Sequence, residues 1–443
     1  MTHRPHILIV GGGYVGMYTA YHLQKKLRSG EADITVVDPQ PNMTYQPFLP
    51  EAAAGSIEPR HVVVPLRRAL RKCRVITGKV LSVDHDRRIA IVQPTEDVPY
   101  EIAYDIVVMA AGSVSRTLPV PGLAETAIGF KNVGEAIFLR NHVLSRLDAA
   151  SVTDDPVRRR KALTFVFVGG GYAGVEACAE LEDMARYAMR FHPDLQPEDM
   201  RWLLVDAGPR ILTEVNSSLA DYTVKQLLER NMQVRLNTRI ESMVDGHVVM
   251  SDGEVVDADT VVWTAGVRAH PLAAASRGFP VDTQGRLVCA ADLRIRGVNG
   301  AWSAGDCAAV PDLSAPDALC APTAQHAVRQ AKLLAGNIKI ALRGGMLRAY
   351  RHKDAGSVGS LGLHKGVADI YGIKMRGILA WFLHRTYHVS RVPTLNRKAR
   401  VIADWTLALF FRREVVSLGQ IQDARREWES VAGPAERAVD SPA

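Results

Sequence analysis

No stretch of the chain reaches the ~18 uninterrupted apolar residues that a helix needs to cross a bilayer, although 47% of its 443 residues are hydrophobic. Cysteine is sparse. Cys73, Cys178, Cys289, Cys307 and Cys320 are odd in number and include no C-x-x-C pair, which argues against a disulfide framework, a thiol-disulfide active site and a zinc ribbon. No metal site is expected, and a reduced, cytosolic environment fits this usage. One Arg, two His and a short apolar run precede the first glycines. That run is too short for a signal peptide, so export is not expected. Low-complexity sequence is confined to a polar tail near 433–443.

The chain is too long for one ordinary core, and its length predicts two or three domains. Ile7-Leu8-Ile9-Val10 reads as a strand buried on both faces, and it runs into Gly11, Gly13 and Gly16 at G-x-G-x-x-G spacing. The first glycine permits a tight turn, the second lets backbone approach a pyrophosphate, and the third lets the next helix pack on the strand. The helix N-terminus offers N–H groups and partial positive charge to phosphate. Ile34–Val37 is a second strand ending in Asp38, 22 residues after Gly16, where a carboxylate binds an adenosine ribose. One such motif alone does not fix the ligand.

The motif is repeated. The first copy passes through β-type segments at 75–84 and 88–93 to the strand 104–109 and Ala110-Ala111-Gly112. The second starts with strand 163–168 and Gly169, Gly171 and Gly174. It passes through 234–236, 240–244 and 247–250 to the strand 259–263 and Thr264-Ala265-Gly266. From first to last glycine the copies span 101 and 97 residues. Two accidental matches would not share that length and internal order. Each copy reads as a doubly wound nucleotide-binding unit with a small antiparallel excursion, so two nucleotides are expected. Strand 201–205 ends in Asp206, whose charge repels a 2′-phosphate and favours NADH over NADPH; Arg210 keeps NADPH open as the lesser reading. The segment 151–161, with Arg158-Arg159-Arg160-Lys161, reads as a solvated loop. Another strand-to-turn, 298–306, ends in Gly305-Asp306; alone, a Gly-Asp there is only a turn.

Together the two glycine turns, 110–112, Val175-Glu176, 264–266 and Ala304-Gly305-Asp306 resemble the two-dinucleotide-binding-domain flavoproteins over residues 7 to about 310. The resemblance implies an α/β fold of two doubly wound, Rossmann-like dinucleotide-binding domains plus a C-terminal membrane-surface segment. It places FAD at Gly11, Gly13, Tyr14, Val15, Gly16, Ala111 and Gly112, with Asp38 on the ribose and Asp306 on the ribityl chain. NADH falls at Gly169, Gly171, Tyr172, Gly174, Glu176, Asp206, Ala265 and Gly266. The implied domains are 1–118 with 268–342 for FAD, 119–267 for NAD(H), 343–413 for membrane association and dimerisation, and a polar tail 414–443.

Within that superfamily the chain is similar to type II NADH dehydrogenases, the single-subunit, non-pumping NADH:quinone oxidoreductases. The similarity rests on Tyr45-Gln46-Pro47-Phe48-Leu49-Pro50, Gly171–Glu176, Ala321-Pro322-Thr323-Ala324-Gln325 and Gly377-Ile378-Leu379-Ala380-Trp381. It implies that Gln46 and Pro47 lie beside the isoalloxazine and that Ala324 and Gln325 belong to the flavin and quinone edge. Glu176 matches a glutamate near nicotinamide and quinone; from the residues alone it is equally a favourable acid in the first turn of a helix. Glu176 and Gln325 are the catalytic candidates. A helix is expected from Thr323 to about Leu342, with Pro322 as its start signal. The family's second glutamine falls at 329, where this chain has Arg329, with Gln330 about 100° round the helix. That departure leaves three readings open: a different quinone, a different acceptor, or a site closed by a cation.

Residues 343–413 hold fourteen Lys or Arg against Asp354, Asp369 and Asp404, a local excess of +11 in a chain whose net charge is +7. Interleaved apolar runs at 378–383 and 401–411 carry Trp381 and Trp405. This is the pattern of helices lying on an anionic membrane surface. Neither a nucleic-acid reading motif nor an aromatic stacking platform accompanies the charge; a homodimer interface is a compatible use. The expectation is an FAD enzyme passing a hydride from NADH and electrons to a membrane quinone, peripheral on the cytoplasmic side of the cell membrane. The alternatives are a flavoenzyme with another donor or acceptor, such as a protein reductase or a sulfide:quinone oxidoreductase using a cysteine pair, and an NADH-sensing flavoprotein.

Overall fold

In a computed structural model, residues 3–315, 317–352, 356–411 and 413–417 are described. Lys353, Asp354 and Arg412 of the basic segment, and the expected polar tail beyond residue 417, lie outside the described residues.

The first apolar run becomes the central strand His6–Val10, in parallel register with Asp33–Asp38 on one side and Ile106–Met109 on the other. Ile7, Leu8 and Ile9 are wholly buried, as expected for a parallel strand covered on both faces. The seven-stranded sheet runs in the order Ala301–Ser303, Ile106–Met109, His6–Val10, Asp33–Asp38, Arg74–Asp84, Ile89–Pro94, Tyr100–Ala103. Helices Tyr14–Lys26 and Ala324–Leu342 pack together over it. The second sheet repeats the plan with five parallel strands: Ala127–Gly129, Thr260–Trp263, Thr164–Val168, Arg201–Val205, Met232–Arg235. A mixed α/β architecture of two doubly wound units is what the repeat predicts.

Two local expectations are corrected. Segment 234–236, placed in the antiparallel excursion, belongs to the parallel edge strand Met232–Arg235, and the excursion is Ile240–Ser242, His247–Met250 and Val255–Asp257. In the first unit one long strand, Arg74–Asp84, pairs parallel with Asp33–Asp38 and then antiparallel with Ile89–Pro94; the second unit divides that work between two strands. Segment 151–161 is not a loop: helix Val133–Val152 enters it and helix Pro156–Ala162 follows, its start fixed by the Asp155 side chain accepting from Val157 and Arg158 N–H and by Pro156 in the first turn. Its charges do face solvent. The C-terminal segment also holds an unforeseen three-stranded antiparallel sheet, Ser357–Ser360, Gly366–Ile370 and Ile373–Arg376.

Helices Gly377–Arg391 and Leu395–Phe410 follow that sheet and return across the start of the chain. Tyr18 donates to Arg391 O, His61 meets Asp404 at 2.6 Å, and Trp405 Nε1 donates to Glu51. No described helix is long and apolar enough to cross a membrane.

Candidate active site

The first glycine turn has the shape its spacing implies. Gly11 has φ +104°, and a Cβ there would stand 2.3 Å from Ala110 O and 3.2 Å from Ala111 Cα; a Cβ on Gly16 would meet Gly11 O at 1.7 Å. Nothing lies within 4 Å of where a Gly13 Cβ would be, or one on Gly112. Gly13 therefore leaves space at the N-terminus of helix Tyr14–Lys26, which has neither a capping side chain nor an acid in its first turn. Such an end attracts phosphate. Asp38 accepts from Gly12 N–H at 2.6 Å and Gln40 N–H at 2.7 Å, and burial raises its carboxyl above the usual range against those bonds. These features fit a dinucleotide.

Around the same turn, Val15 lies under Gly305, and Tyr14 Oη accepts from Gln46 N–H where the helical turn Gln46–Phe48, with Pro47 inside it, begins. Gln46 Nε2 reaches Lys131 O. Asp306 accepts from Ser113 Oγ at 2.6 Å, and Lys131 Nζ donates to both oxygens of Ser113. Burial lowers the Lys131 ammonium below its usual value while Asp306 and Glu135 oppose the shift. Sequence reasoning missed Ser113 and Lys131, which no motif marks.

The second turn repeats this geometry. Gly169 has φ +118°, with a Cβ position 2.7 Å from Thr264 Oγ1 and 2.9 Å from Ala265 N; on Gly174 it would be 1.9 Å from Gly169 O; Gly171 and Gly266 are open. Asp206 accepts from Gly170 N–H at 2.5 Å and Gly208 N–H at 2.7 Å, as Asp38 does in the first unit. Arg210 turns back to Thr213 O.

Helix Tyr172–Ala188 carries acids away from this turn at 176, 180 and 183, a spacing that keeps all three on one face. Glu176 is the helix's fifth residue, beyond the first turn, so its position is not explained by the dipole. Its Oε1 accepts from Ser360 N–H at 2.8 Å and stands 3.3 Å from His384 Nε2. Glu180 accepts from Ser360 Oγ, and Glu51 pairs with Arg385 at 2.9 Å. Burial alone would lower the His384 imidazole; its contact with Glu176 and the charges of Glu51 and Glu180 hold it above its usual value. Burial, reinforced by Glu51, pushes the Glu180 carboxyl up to about 7 from 4.5. Between those values the folded chain binds more protons than the unfolded one, so this group's contribution to stability is lost as pH rises from about 4.5 to about 7. Glu180→Gln is expected to flatten that fall, read as Tm against pH; an unchanged slope would contradict the assignment.

Tyr172 packs on Gly359, and Gln325 Nε2 donates to Gly356 O at the other end of the same strand. The buried Oε1 of Gln325 has no hydrogen-bond partner among the described residues. Ala324 opens the helix Ala324–Leu342, capped by Thr323. Arg329 does not enter this region: its guanidinium meets His352 Nδ1 at 3.0 Å, in a cleft shared with Lys332 and Arg348. The inward position is Gln330, buried, whose Oε1 accepts from Gly305 N–H. Arg329 thus lies on a different face of the helix from Gln325 and Gln330. All five cysteines are free thiols. Cys307 is fully buried, and burial raises its thiol.

Residues 5–331 match the family model described as pyridine nucleotide-disulphide oxidoreductase. The chain is 28% identical over 457 aligned positions to a type II NADH:quinone oxidoreductase of Mycobacterium tuberculosis, covering 99% of this chain and 96% of that protein. It is 31% identical over 400 to the Staphylococcus epidermidis type II NADH:quinone oxidoreductase, covering 89% and 96%. In fold it is similar to NDH2 of Plasmodium falciparum solved in complex with NADH, at TM-score 0.86 and 16% identity over 94% of this chain and 100% of that one.

Proposed function

The chain belongs to the pyridine nucleotide-disulphide oxidoreductase family, within it to the type II NADH:quinone oxidoreductases, and from that premise we propose how its residues serve NADH oxidation and quinone reduction without proton pumping. The observation that carries the reading is the duplicated acid: Asp38 and Asp206 end equivalent strands and accept equivalent pairs of backbone N–H groups. Two dinucleotides fit two such cradles. FAD belongs to residues 1–118 with 268–342 and NADH to 119–267.

When bound, FAD supplies the two-electron chemistry that links NADH to quinone. The protein's part is placement. The open N-termini at Gly13 and Gly171 hold pyrophosphate, and Asp38 and Asp206 take the ribose hydroxyls. Ser113 and Lys131 hold Asp306 toward the ribityl chain, and Gln46 and Pro47 line the ring. Gln325 presents its unpartnered Oε1 to the flavin and quinone edge. Glu176 orients the reacting partners from the NADH side, its Oε1 accepting from Ser360 N–H and facing His384 Nε2.

Anaerobic reduction by NADH and by NADPH, followed by reoxidation with a series of quinones, tests the reading: fast reduction by NADH alone and reoxidation by quinone are expected. Protein that quinone does not reoxidise would overturn it. Asp206→Asn is expected to raise KM for NADH about 10-fold, the loss of one charge-assisted bond, and to narrow the preference over NADPH.

The same reading places the protein peripherally on the cytoplasmic face of an anionic membrane, as a homodimer. Its support is the run of exposed apolar side chains Ile378, Leu379, Phe382, Leu395, Ile402 and Phe410 amid the basic excess. Phe382→Asp, which removes an apolar contact worth about 1.5–3 kcal/mol, is expected to weaken sedimentation with anionic vesicles at least ~10-fold while FAD stays bound. Undiminished binding would remove this support. Deleting 343–443 is a poor substitute, because it also uncovers the buried Glu51, Glu176 and Glu180.

A further inference from the structure

The stoichiometry of the reaction leaves one proton to be placed. NADH gives a hydride, which is two electrons and one proton; a quinone becomes a quinol by gaining two electrons and two protons. The second proton comes from solvent. That proton needs titratable groups to carry it inward from solvent.

One line of groups leads from the surface to the flavin-side segment. A cleft of about 1050 Å³, lined by Asp183, Trp381, Arg385, Trp405 and Arg413 among others, opens beside the far end of helix Tyr172–Ala188. Asp183 meets solvent there and accepts from Leu363 N–H. Glu180 lies about one turn further in on the same face, then Glu176 another turn on. His384 faces Glu176, Glu51 and Glu180 together, and its Nδ1 has no hydrogen-bond partner among the described residues. Its ring lies 4.5 Å from the His388 ring, and His388 Nδ1 is 3.2 Å from Tyr45 Oη, the residue before Gln46.

We infer that Glu180 takes up the solvent proton from the Asp183 end of the cleft and that His384 hands it on, between Glu176 and His388, toward Tyr45 and the quinone. This rests on the quinone-reducing reading and adds to it an uptake site and a relay residue of this chain's own. Every charged neighbour is accounted for. Asp183 and Glu182 share Glu180's helix, and Arg230 and Arg186 neutralise Glu182. Arg413 reaches Asp183 and its charge opposes the rise at Glu180, while Arg385 pairs with one oxygen of Glu51 and leaves that acid's charge to act on Glu180. The cations thus pair with Glu51, Glu182 and Asp183 rather than with Glu180, whose hydrogen-bond donor among the described residues is the neutral Ser360 hydroxyl. Burial with the repulsion of Glu51 accordingly brings its carboxyl to about 7, where a group both binds and releases protons at neutral pH.

Two measurements on the FAD-loaded full chain test this. Infrared spectra against pH should show a protonated-carboxyl C=O band titrating near pH 7 in the wild type and missing in Glu180→Gln. Stopped-flow separation of the two half-reactions should show Glu180→Gln and His384→Gln slowed ~10²-fold in reoxidation by quinone, the deficit confined to that half. Glu180→Asp should restore part of it, and it replaces Glu180→Gln in both measurements if that variant fails to keep FAD, moving the band rather than deleting it. A band that survives Glu180→Gln, or variants slowed alike in both halves, overturns the inference. Wild-type protein that quinone does not reoxidise would instead overturn the reading on which it rests.

Discussion

Gly16→Ala is expected to purify without flavin. The added Cβ would sit 1.7 Å from Gly11 O, 2.8 Å from Gly11 C and 3.2 Å from Ile9 Cγ2. Two of those neighbours are backbone, which cannot rotate aside as a flexible side chain does. Gly11 is itself pinned, since its N–H donates to Val37 O and its φ of +104° is one that other residues rarely adopt. The turn must therefore open, and the phosphate-facing N–H groups move with it. The matched variant in the second unit separates this from general misfolding. Gly174→Ala brings its Cβ to 1.9 Å from Gly169 O, and should yield yellow protein that NADH no longer reduces. Gly13→Ala meets no protein atom within 4 Å; it should fold with unchanged Tm and bind FAD more weakly, because its Cβ projects into the phosphate space. The flavin-to-protein absorbance ratio reads all three, and a full complement of FAD in Gly16→Ala would refute the argument.

Glu182→Ala is expected to cost about 3–5 kcal/mol, the range for breaking a buried ion pair by removing one partner. Glu182 is wholly buried. It holds Arg186 at 2.7 Å and Arg230 at 2.7 Å through their Nε atoms. Arg230 also donates to Ala179 O and Leu361 O, so it joins the NADH-side helix to the turn after Ser357–Ser360. Without Glu182 that guanidinium stays buried and loses its main counter-charge. Tm should fall by about 3–5 °C. Glu182→Met with Arg230→Met should regain much of the loss, because apolar replacement of a whole buried pair is often neutral; a double variant no better than the single one would show that Arg230's backbone bonds matter more than its charge.

What the sequence makes legible is what neighbouring residues decide. The glycine turns follow from φ and close approach within a few residues, and Asp38 and Asp206 from the strands they end, so the geometry of both turns is legible locally. Helix Ala324–Leu342 was announced by Pro322 and Thr323. Asp155 and Pro156 carried an equally good start signal for the helix Pro156–Ala162, but the following four cations drew attention to solvent rather than to capping. Strand Ser357–Ser360, half of it Ser and set among glycines, offers no apolar alternation to read. Ser360, His384, Arg385 and Glu51 reach one place from positions as much as 334 residues apart, a meeting that no local pattern encodes. Glu180 alone left a trace, one turn after Glu176 on the same helix. Arg329 shows the converse: at a motif position that departs from the family, the side chain turns to His352, and one residue's rotation puts Gln330 inside instead.

The C-terminal clasp sets an order of events during synthesis. Ser360 follows Glu180 by 180 residues, Arg385 follows Glu51 by 334, and Arg391 follows Tyr18 by 373. Both glycine turns are complete in the growing chain before any of these later residues leaves the ribosome, while Glu51, Glu176 and Glu180 still lack the partners that later cover them. The protein thus acquires its cofactor pockets early and its proton-handling chemistry last. A translation-arrested chain ending before residue 357 should show this as flavin binding without the carboxyl band near pH 7.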